Sequence, residues 1–121
     1  MGQPIKVTTT GSAGSATGSG TGMGHGVVHG VVVKFHASAP ATTDVAIKRT
    51  INGVDEAILT LTNVNTSAVY HPPGPQHAIA GGAAIASSYS PFVLDGELLT
   101  VSVTGCDALT DAVEVSFLLL P

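Results

Sequence analysis

From Val27 to Pro121, short runs rich in β-branched residues are broken by turn residues about every ten positions, and no segment carries a helical period of useful length. The pattern leaves little but antiparallel sheet. "GVVHGVVVKFHA" is expected as the first core strand, and "DVAIKRTI" as the next. The latter ends at Asn52-Gly53, the dipeptide favoured in two-residue hairpin turns with positive φ, and "EAILTLTNV" answers it as a partner strand. "AAIAS" is a further short strand, and "PFVL" is expected to meet "ELLTVSVTG" across Asp95-Gly96 in a second hairpin. "DAVEVSFLLL" closes the chain. Seven or eight short antiparallel strands predict an all-β fold, a single antiparallel β-sandwich over residues 27–121, with a jelly roll as the variant.

Alternation assigns the faces. In the last strand Val113, Val115, Phe117 and Leu119 share one side, while Glu114, Ser116, Leu118 and Leu120 share the other, which starts polar and ends apolar. In the first core strand Val27, Val31, Val33 and Phe35 fall together, with Val28 and Val32 opposite. Both faces thus look partly buried, more than a two-layer domain supplies, so a neighbouring subunit is expected to cover the second.

The remaining segment, residues 1–26, reads as an extended N-terminal arm and flexible linker. Residues 10–26 hold seven glycines with Ser, Thr and Ala between most of them. Such a run buries too little side chain to offset its backbone entropy, and as a tether it reaches roughly 20–25 Å coiled or about 55 Å extended. Ahead of it, "PIKVTT" has strand composition, with Ile5 and Val7 as its sticky residues. The glycines fit no G-x-G-x-x-G register and no GKS or GKT follows, so they do not read as a phosphate loop.

Charge and cysteine content exclude whole classes. The 121-residue chain is 44% hydrophobic, too apolar for intrinsic disorder and of a length for one domain. Its net charge is −4, and Lys6, Lys34, Lys48 and Arg49 are too few and scattered to neutralise a run of phosphates, so nucleic acid is not an expected partner. Nowhere do eighteen consecutive apolar residues occur and "MGQPIKVTTT" lacks a signal-peptide core, so a membrane is not expected either and synthesis is expected in the cytoplasm. Cys106 is the only cysteine, which rules out an intrachain disulfide.

No constellation points to catalysis. His25 and His29 lie in strand sequence, where four residues span roughly 13 Å, too far for one metal with bonds of about 2.1 Å. His71 and His77 approach each other only if the proline loop folds back, and no third ligand is apparent. Cys106 has an acid, Asp107, and no base beside it; no G-x-S-x-G elbow exists; and Asp55, Glu56, Asp95 and Glu97 border turns. The expectation is no enzyme activity, no cofactor and no metal. "AVYHPPGPQHA" reads instead as contact surface. Pro72, Pro73 and Pro75 fix φ and remove N–H donors, so the segment is not an interior strand and loses little entropy on binding; Tyr70 and His71 are the anchors beside it. With Ile5, Val7, Val28, Val32, Leu118 and Leu120 these residues are the interface candidates. Glycan binding is the alternative for a small sandwich, weakened by the lack of Trp and the presence of only Tyr70 and Tyr89.

The run "EAILTLTNVNTSAVYHPPGPQHAIAGGAAI", followed by "SPFVLDGELLTVSVTG" and a terminal apolar strand, resembles small β proteins of tailed bacteriophage virions. The matching positions are Leu59 to Thr66, Tyr70 with Pro72, and Pro91 to Val103, and the similarity spans residues 27–120. This chain has Ala68-Val69 where the pattern often carries a second aromatic, and a proline-richer loop after it. The resemblance implies a capsid cement or decoration protein on the outer virion surface, partnered by the major capsid protein and by copies of itself, commonly as a trimer. A phage tail or surface module binding host glycan is the rival within that setting.

Overall fold

The structure, a computed structural model, describes residues 4–11, 14–20 and 24–120. They form β1 (Ile5–Val7), β2 (Ala16–Gly20), β3 (His25–Phe35), β4 (Asp44–Ile51), β5 (Val54–Leu61), β6 (Ala68–Tyr70), β7 (Pro73–His77), β8 (Ala84–Pro91), β9 (Val93–Asp95), β10 (Leu98–Thr104) and β11 (Val113–Leu120), with no helix among the described residues. One sheet runs β1-β11-β3-β6, with β9 also on β3; the second runs β2-β10-β4-β5; and β7 and β8 form a separate ribbon. All pairings are antiparallel. β1 pairs with β11, β2 with β10, β3 with β6 and β9, and β4 with β5. The two ends of the chain therefore run side by side as one long antiparallel ribbon, rolled into two facing sheets. That is the strand order of a jelly roll, the variant the sequence allowed.

The hairpin expected at Asn52-Gly53 is present. Both residues have positive φ (50° and 79°), and the register runs from Ile51 opposite Val54 to Val45 opposite Leu61. The one at Asp95-Gly96 is not. Gly96 has the positive φ (76°) its sequence signals, but the turn carries the chain between sheets: β9 pairs with β3, and β10 with β4 and β2. A turn dipeptide specifies local dihedrals, whereas the partner is chosen by burial. Leu94 at the centre of β9 is fully buried, beside an edge of β3 that β6 leaves open.

The described residues among 1–26 are not an arm and linker outside the sandwich. They close it, while residues 1–3, 12–13 and 21–23 lie outside the described set. Ile5 and Val7, expected to stick to a neighbour, are buried in the chain's own core opposite Val115 and Val113. Between β1 and β2, Thr9 is buried. Its N–H donates to the Leu109 carbonyl (3.1 Å), its hydroxyl donates to the Asp107 carbonyl, and the Leu109 N–H donates back to Oγ1 (3.0 Å). The small residues have a steric reason. A Cβ on Gly18 would lie 3.0 Å from Val7 Cγ2 and 3.2 Å from the Lys6 carbonyl, so a larger residue where the two sheets converge would have to push its neighbours back by a few tenths of an ångström.

Between the sheets lies a continuous aliphatic core. Val31 and Val33 of β3, Val45 and Ile47 of β4, Leu99, Val101 and Val103 of β10, and Val113 and Val115 of β11 are all buried there. The facing expected for β11 holds as far as Phe117, with Leu119 packed at the core's rim. In β3 it fails at one end. Leu118 pairs with Gly30 but Leu119 with Val28, so His29 is the extra residue of a bulge. One added residue reverses the parity, which sends Val28 into the core and turns Val27 outward. Val28 is therefore a core residue, not an interface residue.

Candidate functional site

The two outer faces differ in chemistry. On the second sheet the outward positions carry Thr17, Ser19, Thr100, Ser102, Lys48, Thr50, Asp55 and Thr60, mostly hydroxyls and charge, with Ala46, Ala57 and Leu98 among them. On that face Asp55 accepts from Lys48 Nζ (2.7 Å) and Thr50 Oγ1 (2.6 Å). The hydrogen bond from Lys48, then that from Thr50, holds this carboxyl below the ordinary aspartate range.

On the first sheet the register places the outward residues in rows. At one end Glu114 sits between Lys6 (3.5 Å) and Lys34 (3.7 Å). The next row is Ser116, Val32 and Val69, and beyond it Leu118 lies opposite Gly30, with His71 beside them. Then come Leu120, Val27 and Val93, and last His25 and Asp95, joined at 2.9 Å. Charge is confined to the two ends. Between them Val69 (48% exposed), Val93 (55%) and Leu120 (50%) present apolar surface to solvent, with Val32 and Leu118 half-buried among them.

The β7–β8 ribbon joins β6 to β9, two strands of this sheet. Pro73 pairs with Pro91, Gly74 with Ser90 and Pro75 with Tyr89, and His77 reaches Ala84 at the far end. The ribbon belongs to neither large sheet, so the expectation that the proline segment is no interior strand agrees with its placement. At its base Gly74 lies against the ring of Phe92, where a Cβ would approach Cε1 to 3.0 Å. At its tip Ile79 is fully exposed, and Ile85 and Tyr89 are exposed along β8.

Of the expected interface residues, the structure thus groups Val32, His71, Leu118 and Leu120 on one face and places Pro72 and Pro73 beside it. Pro72 is half-buried and Pro73 exposed. Ile5, Val7 and Val28 leave the set because they are core. Tyr70 also changes role: it pairs with Val31, points inward and packs against the core, and its neighbour Val69 faces out. Residues that sequence reasoning missed are Val27, Val69 and Val93. For Val69 and Val93 the signal was available only once β6 and β9 were known to lie on β3.

Arg49 was also missed as a structural centre. It shares the inward parity of Val45 and Ile47 but sits where the sandwich opens, and its guanidinium lies over Phe92 at 5.6 Å. It bonds Glu56 (2.7 Å), approaches Glu97 at 3.6 Å and donates to the Val93 carbonyl. The adjoining groove, of about 220 Å³, is lined by Arg49, Glu56, Gly74 and Phe92 among others. Both carboxylates are engaged by the arginine, so the cluster ties β4, β5 and β9 together at the mouth of the core. Cys106 is buried behind Gly14, whose carbonyl accepts its N–H at 3.1 Å.

Among the described residues no three His, Cys, Asp or Glu side chains converge. His77 stands at the end of β7, away from His71, and His71 instead meets His29. No protein-family model, no curated protein and no solved structure matches the chain.

Proposed function

We propose that the protein is a structural virion component, a cement or decoration protein of a tailed bacteriophage that sits on the outer capsid and holds neighbouring major capsid subunits together. The observation that carries this reading is the segregation of charge. No Asp, Glu, Lys or Arg occurs between Glu56 and Asp95, and beyond the end of β5 that stretch supplies β6 and β9, both on the first sheet, and the β7–β8 ribbon that joins them. A broad, uncharged, β-rich surface with a stiff proline-bearing ribbon suits protein contact. It offers neither the basic groove that nucleic acid needs nor an aromatic platform of the kind sugars favour.

The resemblance in Leu59–Thr66, Tyr70 with Pro72 and Pro91–Val103 supports the same setting, and a homotrimer is the assembly it implies. The clamp differs in one respect from the expected one. β1 is committed to its own β11, so attachment rests on the outer face of the first sheet and the β7–β8 ribbon rather than on a tethered N-terminal end. Many copies, each binding weakly, then hold the shell by their number.

Adding purified protein to undecorated capsids tests this. Saturable co-sedimentation at a fixed ratio to the major capsid protein, with raised resistance of the shell to heat, is the expected result. Absence of retention combined with glycan-array binding would replace this reading with a host-glycan adhesin.

A further inference from the structure

His29 and His71 lie 42 positions apart in sequence and meet on the outer face of the first sheet, with ring centroids 6.0 Å apart and planes inclined at 69°. Two local features bring them together. The bulge in β3 makes His29 the extra residue, freeing its side chain from the strand's alternation, and both histidines are exposed. Tyr70 of β6 pairs with Val31, so His71 follows beside Gly30, whose Cβ position lies 3.5 Å from His71 Cε1.

His71 is also oriented. Its Nδ1 lies 2.8 Å from the His29 carbonyl oxygen. A carbonyl can only accept, so Nδ1 carries the proton, and in the neutral ring Nε2 keeps its lone pair. An imidazole that donates one N–H to a backbone carbonyl and offers the other nitrogen is the arrangement found in metal ligands, where the outer hydrogen bond fixes the ring and raises its basicity.

The separation fits a shared ion. With Zn–N bonds of about 2.1 Å and each nitrogen about 1.1 Å from its ring centre, two tetrahedral ligands have centroids roughly 5 Å apart. With His71 held by its hydrogen bond, rotation of the exposed His29 side chain closes the difference from 6.0 Å. The geometry points to His29 and His71 as a two-imidazole site for a divalent first-row metal ion of the zinc type. The remaining coordination positions are open to water or to a donor from a docked partner. The site rests on this geometry alone and not on the capsid reading. Because it bridges β3 to the chain just after the three-residue edge strand β6, bound metal would stabilise that edge, and Cu²⁺ should bind more tightly than Zn²⁺.

The full chain, freed of metal by chelation, is titrated with ZnCl₂ alone while the imidazole Cε1–H resonances and the melting temperature are followed. The expected result is one ion per chain, with the His29 and His71 signals moving together and Tm rising by roughly 10 °C at a hundredfold excess over Kd. His29→Ala and His71→Ala should each weaken binding at least tenfold, while His25→Ala and His77→Ala leave it unchanged. His71→Gln guards against a folding defect. Its amide can still donate to the His29 carbonyl, so its metal-free Tm should match the parent while zinc affinity is lost. Binding that survives His29→Ala or His71→Gln, that follows His25 instead, or that never saturates would overturn the assignment.

Discussion

Replacing Val7 by alanine separates an N-terminal segment built into the sandwich from one that hangs outside it. Val7 is 2% exposed, pairs with Val113 and lies over Gly18 on β2. Removing two methyl groups forfeits about 1.6 kcal/mol of transfer free energy at about 0.8 per carbon, and the residual cavity adds to that. Neighbouring Ile5 keeps the strand in place, so the site collapses only partly and the total comes to about 2 kcal/mol. With a urea slope near 2 kcal/mol per molar for a chain of this size, the midpoint should fall by about 1 M. Urea unfolding followed by far-UV circular dichroism measures this, with Val69→Ala as the exposed control expected to shift little. A Val7→Ala midpoint within about 0.2 M of the parent would refute the placement of β1, because a tethered end contributes nothing to unfolding of the domain. Deleting residues 1–20 extends the test. It strips β1 and β2 from β11 and β10, so the remainder should be insoluble or unfolded.

Three further outcomes follow from the same contacts. Gly14→Ala should destabilise by more than 2 kcal/mol, since φ there is +34° and the new methyl would run into the Cys106 carbonyl; a chemical-denaturation midpoint checks it. Arg49→Leu should cost about 3 kcal/mol in the same assay, because it leaves Glu97, whose side chain is only 10% exposed, without its cation at the mouth of the core. Asp55 has a lowered folded-state pKa, so its contribution is present above the ordinary aspartate range and lost as pH falls through the folded value. The difference in urea midpoint between Asp55→Asn and the parent should accordingly be visible at pH 7 and vanish in acid.

Legibility followed the range of the physics involved. The Asn52-Gly53 hairpin was readable because both dihedrals and both strands lie within one local stretch. So was the inner face of β11, whose alternation from Val113 to Phe117 is unbroken. The outer face of β3 was misread at Val27 and Val28 because a bulge leaves no mark in composition yet reverses every side chain beyond it. The N-terminal glycines misled for a related reason. Entropy arguments count what a residue can bury, whereas Gly18 is favoured by how closely Val7 and the Lys6 carbonyl approach it. The apolar face itself was half visible through Leu118 and Leu120. Val69, Val93 and the meeting of His29 with His71 depend on β6 and β9 lying against β3, which no local pattern encodes.

Charged substitutions on the two outer faces, compared in one capsid-retention experiment, test most directly whether the apolar side of the first sheet is the contact surface. Val69→Asp and Leu120→Asp place a carboxylate among the outward apolar residues, and Thr60→Asp places one on the hydroxyl-rich face of the second sheet. All three positions are exposed, so melting temperatures should stay near the parent's. The first two variants should sediment as smaller species and lose retention on undecorated capsids by at least tenfold, while Thr60→Asp should assemble and bind as the parent does. Full retention by Val69→Asp and Leu120→Asp, or loss confined to Thr60→Asp, would contradict that assignment of the contact surface.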